Sequence, residues 1–92
     1  MTAIADTARP RLAAKARLKW DAVREKHLLL FPEGVLVLNP AAQAVLALCD
    51  GGRTVAEIIQ SLAAQYASAA IDGDVRNILR RLTDKGLVVL EI

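Results

Sequence analysis

The stretch that most limits what this chain can become is Phe31-Pro32-Glu33-Gly34-Val35-Leu36-Val37-Leu38-Asn39-Pro40. Its first four residues suit a type I turn, with proline second and glycine fourth. Residues 35–38 follow as a strand. Side chains alternate across a strand, so Val35 and Val37 share one face and Leu36 and Leu38 the other. A half-exposed strand would be polar on one side; this one is apolar on both, and both faces call for cover. In a chain of 92 residues, part of that cover is expected from a partner, a second copy of the chain included. Asn39 is a good helix N-cap and Pro40 a good first helical residue, so the strand runs straight into a helix. The pattern points to a binding module and away from a self-contained enzyme.

Composition narrows the chemistry. The length corresponds to one small domain, and 54% hydrophobic residues are enough for a core. There is little room for a deep, walled catalytic pocket. Cys49 is the only cysteine, which excludes an internal disulfide and a thiolate metal cluster within one chain. His27 is the only histidine, which removes His-based metal sites and most catalytic triads. The longest apolar run, residues 44–49, is far too short to span a bilayer, and the amino end has no charged-then-apolar signal pattern. A cytoplasmic, soluble protein without catalytic residues, metal, cofactor or membrane contact is expected.

Charge is uneven along the chain. Residues 1–20 carry Arg9, Arg11, Lys15, Arg17 and Lys19 against Asp6, whereas residues 21–92 carry seven bases and nine acids. Residues 1–16 are rich in Ala, Arg and Thr, are broken by Pro10 and show no clean period. They read as a flexible, solvated basic arm whose removal should leave the fold intact. The folded domain is expected over 17–92.

Within it, residues 17–21 alternate strictly, with Leu18 and Trp20 inward. Asp21 opens a turn. Residues 25–31 form a second strand, with His27, Leu29 and Phe31 on one face and Lys26, Leu28 and Leu30 on the other, and residues 35–38 form the third. The period then changes from 2 to 3.6. A helix from Pro40 to about Cys49 ends at Asp50-Gly51-Gly52 by glycine capping. Thr54-Val55-Ala56-Glu57 is a capping box opening a second helix with the stripe Ile58, Ile59, Leu62, Ala63 and Tyr66. After a loop around Ser68 to Ile71, Asp72 caps a third helix with the stripe Val75, Ile78, Leu79 and Leu82, stopped at Gly86. Residues 87–90 are a last extended piece, suited to an edge strand. The fold class is α+β: winged-helix-like, a three-stranded antiparallel N-terminal sheet followed by a three-helix bundle.

Such a unit first suggests nucleic-acid binding through Arg76, Arg80, Arg81 and Lys85 of the third helix. A net acidic body lacks the positive field this needs, and the same cations serve as helix-dipole partners. Nucleic acid is therefore the alternative reading. His27 has no nucleophile or orienting group tied to it by a motif. Cys49 lies in an apolar stripe as a small core residue. Asp72 and Asp74, at a helix start, read as caps and not as metal ligands.

The ordered set Leu18-Lys19-Trp20-Asp21, Pro32-Glu33-Gly34, Leu38-Asn39, Leu48-Cys49-Asp50-Gly51, Thr54-Val55-Ala56-Glu57-Ile58, Asp74-Val75, Leu79, Leu82 and Gly86-Leu87 resembles the PqqD family over about residues 17–90. The resemblance implies a peptide chaperone of pyrroloquinoline quinone (PQQ) biosynthesis. It would bind the precursor peptide PqqA and present it to the radical S-adenosylmethionine enzyme PqqE, which cross-links a Glu and a Tyr of the peptide. It also implies a binding mode, an added strand beside the third strand and against the third helix. Carried over by position, the groove would use Val35, Leu36, Val37 and Leu38 from the strand and some of Asp74, Val75, Ile78, Leu79, Arg81 and Leu82 from the helix. Asp74 or Arg81 would pair with charges on the peptide. Arg81 should matter more than Arg76, which is placed further toward solvent. Such proteins were once suspected of binding the quinone itself, but no flat aromatic or cationic pocket here requires that.

Overall fold

In the computed structural model, which describes residues 4–66 and 70–91, eight elements follow one another: β1 (Arg9–Leu12), β2 (Arg17–Asp21), β3 (Lys26–Phe31), β4 (Gly34–Leu38), α1 (Pro40–Ala47), α2 (Val55–Tyr66), α3 (Ile71–Asp84) and β5 (Val88–Glu91). The result is a mixed α/β fold with two antiparallel sheets. One is the meander β2-β3-β4; the other is a two-stranded ribbon of β1 and β5.

The meander follows the alternation in the sequence. Its register aligns Leu18 with Leu29 and Leu36, and Trp20 with His27 and Leu38. Leu29 and Leu38 enter the core, and Leu18, Leu36 and Phe31 pack against it. The other face carries the rows Arg17–Leu30–Val35 and Lys19–Leu28–Val37. Asp21 makes the β2–β3 turn by accepting the N–H groups of Val23 (3.0 Å) and Arg24 (3.2 Å). Trp20, expected inward, is 50% exposed. It sits in the end row of the sheet, where its ring tilts over His27 at 4.7 Å and opens into a cleft with Tyr66.

The helices start as their local chemistry dictates. Asn39 Oδ1 accepts the Ala42 N–H at 2.7 Å, with Pro40 in the first turn. Thr54 and Glu57 form the reciprocal capping box: the Thr54 N–H donates to Glu57 Oε1 (2.8 Å) and the Glu57 N–H to Thr54 Oγ1 (3.2 Å). α3 departs from expectation. It begins two residues earlier, with Ala70 in place of Asp72 at the cap position, and Asp72 lies in the first turn bound to Arg76. Of the loop expected before it, Ser68 and Ala69 lie outside the described residues. Val45, Leu46, Val55, Ile58, Val75 and Leu79 close the centre where the three helices meet.

A flexible arm was expected over residues 1–16, with the domain starting at 17; among the described residues of that segment, 4–16, much of the chain is instead packed into the fold. Residues 9–12 pair with β5, from Arg9 opposite Glu91 to Leu12 opposite Val88. Ala8, Pro10, Ala13 and Ala16 are buried. The backbone of this segment also completes other elements. The carbonyls of Asp6 and Ala8 accept the N–H groups of Ala56 (3.1 Å) and Val55 (2.9 Å), two donors that a helix start leaves without partners. Pro10 O accepts from Gly51 N–H, and Ala13 N–H donates to Leu87 O. Short, proline-broken and alanine-rich, the segment is nonetheless a strand: Pro10 and Leu12 turn inward while Arg9 and Arg11 turn out.

Three carboxylates are held in their charged form. The Gly52 N–H lowers the pKa of Asp50, the Thr54 N–H and hydroxyl lower that of Glu57, and the Arg76 guanidinium lowers that of Asp72. At low pH the unfolded chain therefore binds more protons than the folded one. The stabilisation is complete above the ordinary carboxylate range, about 4, and is lost as pH falls through the depressed folded values. Melting followed by circular dichroism should give a Tm that is flat from neutral pH to about 5 and falls below about 4. Glu57→Gln should shrink that fall. A Tm unchanged down to about pH 3 would show that these caps contribute no such linkage.

Candidate functional site

Among the described residues β4 pairs only with β3, and its other edge has no strand beside it. The turn that joins them fixes which residues face that edge. Phe31 and Gly34 are partners across the two-residue Pro32-Glu33 connection and form the hydrogen-bonded pair that closes the turn. Bonded and non-bonded pairs alternate along an antiparallel ladder. Leu36 and Leu38 therefore direct their N–H and C=O groups to β3, while those of Val35 and Val37 point to the open edge.

Beside that edge lies a groove of about 190 Å³. Its strand side is Leu36, Val37 and Leu38, continued by Asn39 and Ala42; its helix side is Ile78, Arg81, Leu82 and Lys85. The four helix residues fall three or four apart and so form one stripe along the last turns of α3. The floor is apolar. Arg81 and Lys85 are exposed, their side chains make no ion pair among the described residues, and no acidic side chain lines the groove. An unpaired strand edge next to an apolar floor with two exposed cations offers groups that an extended chain carrying apolar side chains and a carboxylate can pair with.

Of the ten residues expected at the site, Leu36, Val37, Leu38, Ile78, Arg81 and Leu82 line this groove. Val75 and Leu79 do not: both are fully buried in the core. Asp74 is exposed in the first turn of α3, at the opposite end of the helix from the groove. Val35 presents its backbone to the open edge, but its side chain is on the far face of the sheet. Sequence reasoning missed Asn39, Ala42 and Lys85. Lys85 had a signal, standing four residues after Arg81 and three after Leu82. Ala42 had none, because only the packing of α1 against α3 brings it there.

Arg76 is not the solvent-facing residue it was expected to be. Its guanidinium bonds Asp72 (2.7 Å), the side chain of Asp6 and the carbonyl of Ile4 (3.0 Å), fastening the N-terminal segment to α3. These acids, Asp72 first, push its pKa up. Arg80 bonds Asn77 at 2.8 Å. Two of the four cations that a nucleic-acid reading would use are thus committed to the protein's own groups. The Cys49 thiol is buried, donates to Val45 O and has its pKa pushed up to about 12, chiefly by burial and secondarily by Asp50. It is a poor nucleophile at neutral pH. Among the described residues, no group of three or more His, Cys, Asp or Glu could hold a metal ion, and no helix is long and apolar enough to cross a membrane.

Comparison with known proteins adds relatives to this geometry. The family model "Coenzyme PQQ synthesis protein D (PqqD)" matches residues 26–88. A "PqqA binding protein" of Rhodopseudomonas palustris (strain TIE-1) is 44% identical over 87 residues, covering 92% of this chain and 85% of that protein. The solution structure of the PqqD part of Methylobacterium extorquens PqqCD, described as a functional, stand-alone recognition element for ribosomally synthesised and post-translationally modified peptides, superposes with a TM-score of 0.79 at 40% identity, covering 96% of both chains. TbiB1, solved in complex with the TbiA(beta) leader peptide, has the same fold, with a TM-score of 0.71 at 21% identity over 85% of this chain and 93% of that one.

Proposed function

Because the chain belongs to the PqqD family, we propose that it is a non-catalytic adaptor of PQQ biosynthesis, a winged-helix-like peptide-recognition module acting in the cytoplasm. It binds the precursor peptide PqqA as a strand added to β4 and presents it to the radical S-adenosylmethionine enzyme PqqE. The observation that carries this reading is the open β4 edge lying beside the α3 groove. Val35 and Val37 offer the peptide their backbone groups. Alternate peptide side chains enter between Leu36, Leu38, Ile78 and Leu82, while Arg81 and Lys85 receive an acidic residue. Main-chain bonds supply affinity and the groove supplies selection.

Titration of labelled protein with synthetic PqqA peptide, followed residue by residue by NMR, tests it. Shifts should concentrate at 35–39 and 78–85. Affinity should change little between about 50 and about 200 mM salt, where a nucleic-acid complex loses orders of magnitude. Shifts confined to other faces would move the site elsewhere.

The charge at the groove gives a sharper expectation. Arg81→Glu should weaken peptide binding by roughly 1–3 kcal/mol, the range for hydrogen bonds to charged groups, with little change in stability. Arg76 is unsuitable as a control because it holds the N-terminal segment. Arg24, exposed in the β2–β3 turn, is suitable. Calorimetry should show a loss for Arg81→Glu and none for Arg24→Glu; equal losses would mean only a general field effect.

A further inference from the structure

The second face of the β2-β3-β4 sheet is also unpartnered. Val35 and Val37 are 55% and 57% exposed on it. Half-buried Leu30 stands beside Val35 and buried Leu28 beside Val37 in the same rows, so the two exposed valines rest on an aliphatic base supplied by β3. Arg17 and Lys19 end those rows on β2, and Lys26 lies opposite Asp21 at the foot of the sheet. Asp21, the one acid among these positions, is occupied by its own turn and by Arg24. The patch is therefore apolar at its centre and basic along one side. Its other side is the free edge of β4. An exposed aliphatic patch with a charged rim marks an interaction surface.

We propose that this face docks a protein whose contact patch is apolar in the middle and bears carboxylates at its edge, and that the docked protein touches the bound peptide as well. Resting on the strand-addition reading, the inference has a geometric basis. A strand added to β4 extends the sheet, and every second side chain of that strand then stands on this outward face, next to Val35 and Val37. The partner meets adaptor and peptide as one continuous surface. It recognises the loaded adaptor better than the empty one without any change of shape. The basic rim selects the occupant: two copies packed face to face would bring like charges together, whereas carboxylates would be paired. Continuity with the peptide strand favours a protein over a lipid surface.

The test uses the purified radical enzyme as probe, with wild-type adaptor, R17E/K19E and Leu30→Gln. None of these substitutions lies in the groove. Peptide affinity should stay within about twofold of wild type, since β4 and α3 are untouched. Affinity of the peptide-loaded adaptor for the enzyme should fall at least about tenfold in both variants, and that of R17E/K19E should lose most of its salt dependence. Failure of the wild type to bind peptide sinks the strand-addition reading. Intact peptide binding with unchanged enzyme affinity in both variants sinks this inference alone. A wild-type dimer dispersed by R17E/K19E, or adaptor sedimenting with anionic phosphatidylserine vesicles only when Arg17 and Lys19 are present, would assign the face to a second copy or to a lipid surface and overturn it.

Discussion

Removal of residues 1–14 is expected to abolish cooperative folding. The truncation deletes β1, the strand with which β5 pairs. It uncovers Val88, which is almost wholly buried, and leaves the N–H groups of Val55, Ala56 and Gly51 without the acceptors on Ala8, Asp6 and Pro10. Each lost backbone bond is worth about 1 kcal/mol net, more where a buried donor stays unsatisfied. The apolar surface of Ala8, Pro10, Leu12 and Ala13 is lost as well. A domain of this size is stable by only about 5–15 kcal/mol, so the sum removes most of it. Circular dichroism melts should show a broad, low-amplitude transition or none. A sharp transition near the full-length Tm would mean that the ribbon is decorative and that the domain starts at β2.

Val37→Pro should separate binding from folding. The Val37 N–H points to the open edge, so proline there removes no bond from the β3–β4 ladder, and edge strands tolerate it. Its ring then occupies the position where a peptide carbonyl would approach. Peptide affinity should fall by tenfold or more, about 1.4 kcal/mol, with the melting transition retained. The mirror experiment is Leu36→Pro, whose missing N–H belongs to the ladder and whose side chain packs against the core; that variant should lose stability. A Val37→Pro protein that is folded and binds as tightly as wild type would rule out strand addition at β4.

The meander and the three helices were legible because their signals are local. Strict alternation over 17–21, the Pro-Glu-Gly turn, the Asn39-Pro40 start and the Thr54/Glu57 capping box each act within a few residues. What was not legible depends on packing between distant segments. β1 has the right alternation, but four residues with a proline fall below what a pattern can support, and only β5 makes them a strand. Trp20 alternates inward yet stands on the outer strand of its row, and the core reaches only Leu38 at the row's other end. On α3, Val75, Ile78, Leu79 and Leu82 read as one stripe. Helix packing divides it, with Val75 and Leu79 covered and Ile78 left at the groove, and a single-helix pattern does not contain that division. Arg76 and Arg81 look equivalent in the sequence, and the acids that distinguish them include one 70 positions away.

The pairing of β1 with β5 also sets the order in which the chain can be completed. The ion pair of Arg11 with Glu91 joins positions 80 apart. Closing so long a loop is entropically uphill until many other contacts exist, whereas the β2-β3-β4 hairpins close over a few residues. On the ribosome, the meander and the first helices can assemble as they emerge, but the opening segment must wait, alanine-rich and cationic, until the last strand has been translated. Until then the N-terminal end of α2 and the flank of the core are uncovered. Any chain in which β1 and β5 are still apart therefore carries uncovered apolar surface and unsatisfied backbone donors, and is more open to proteases and to aggregation than the finished fold.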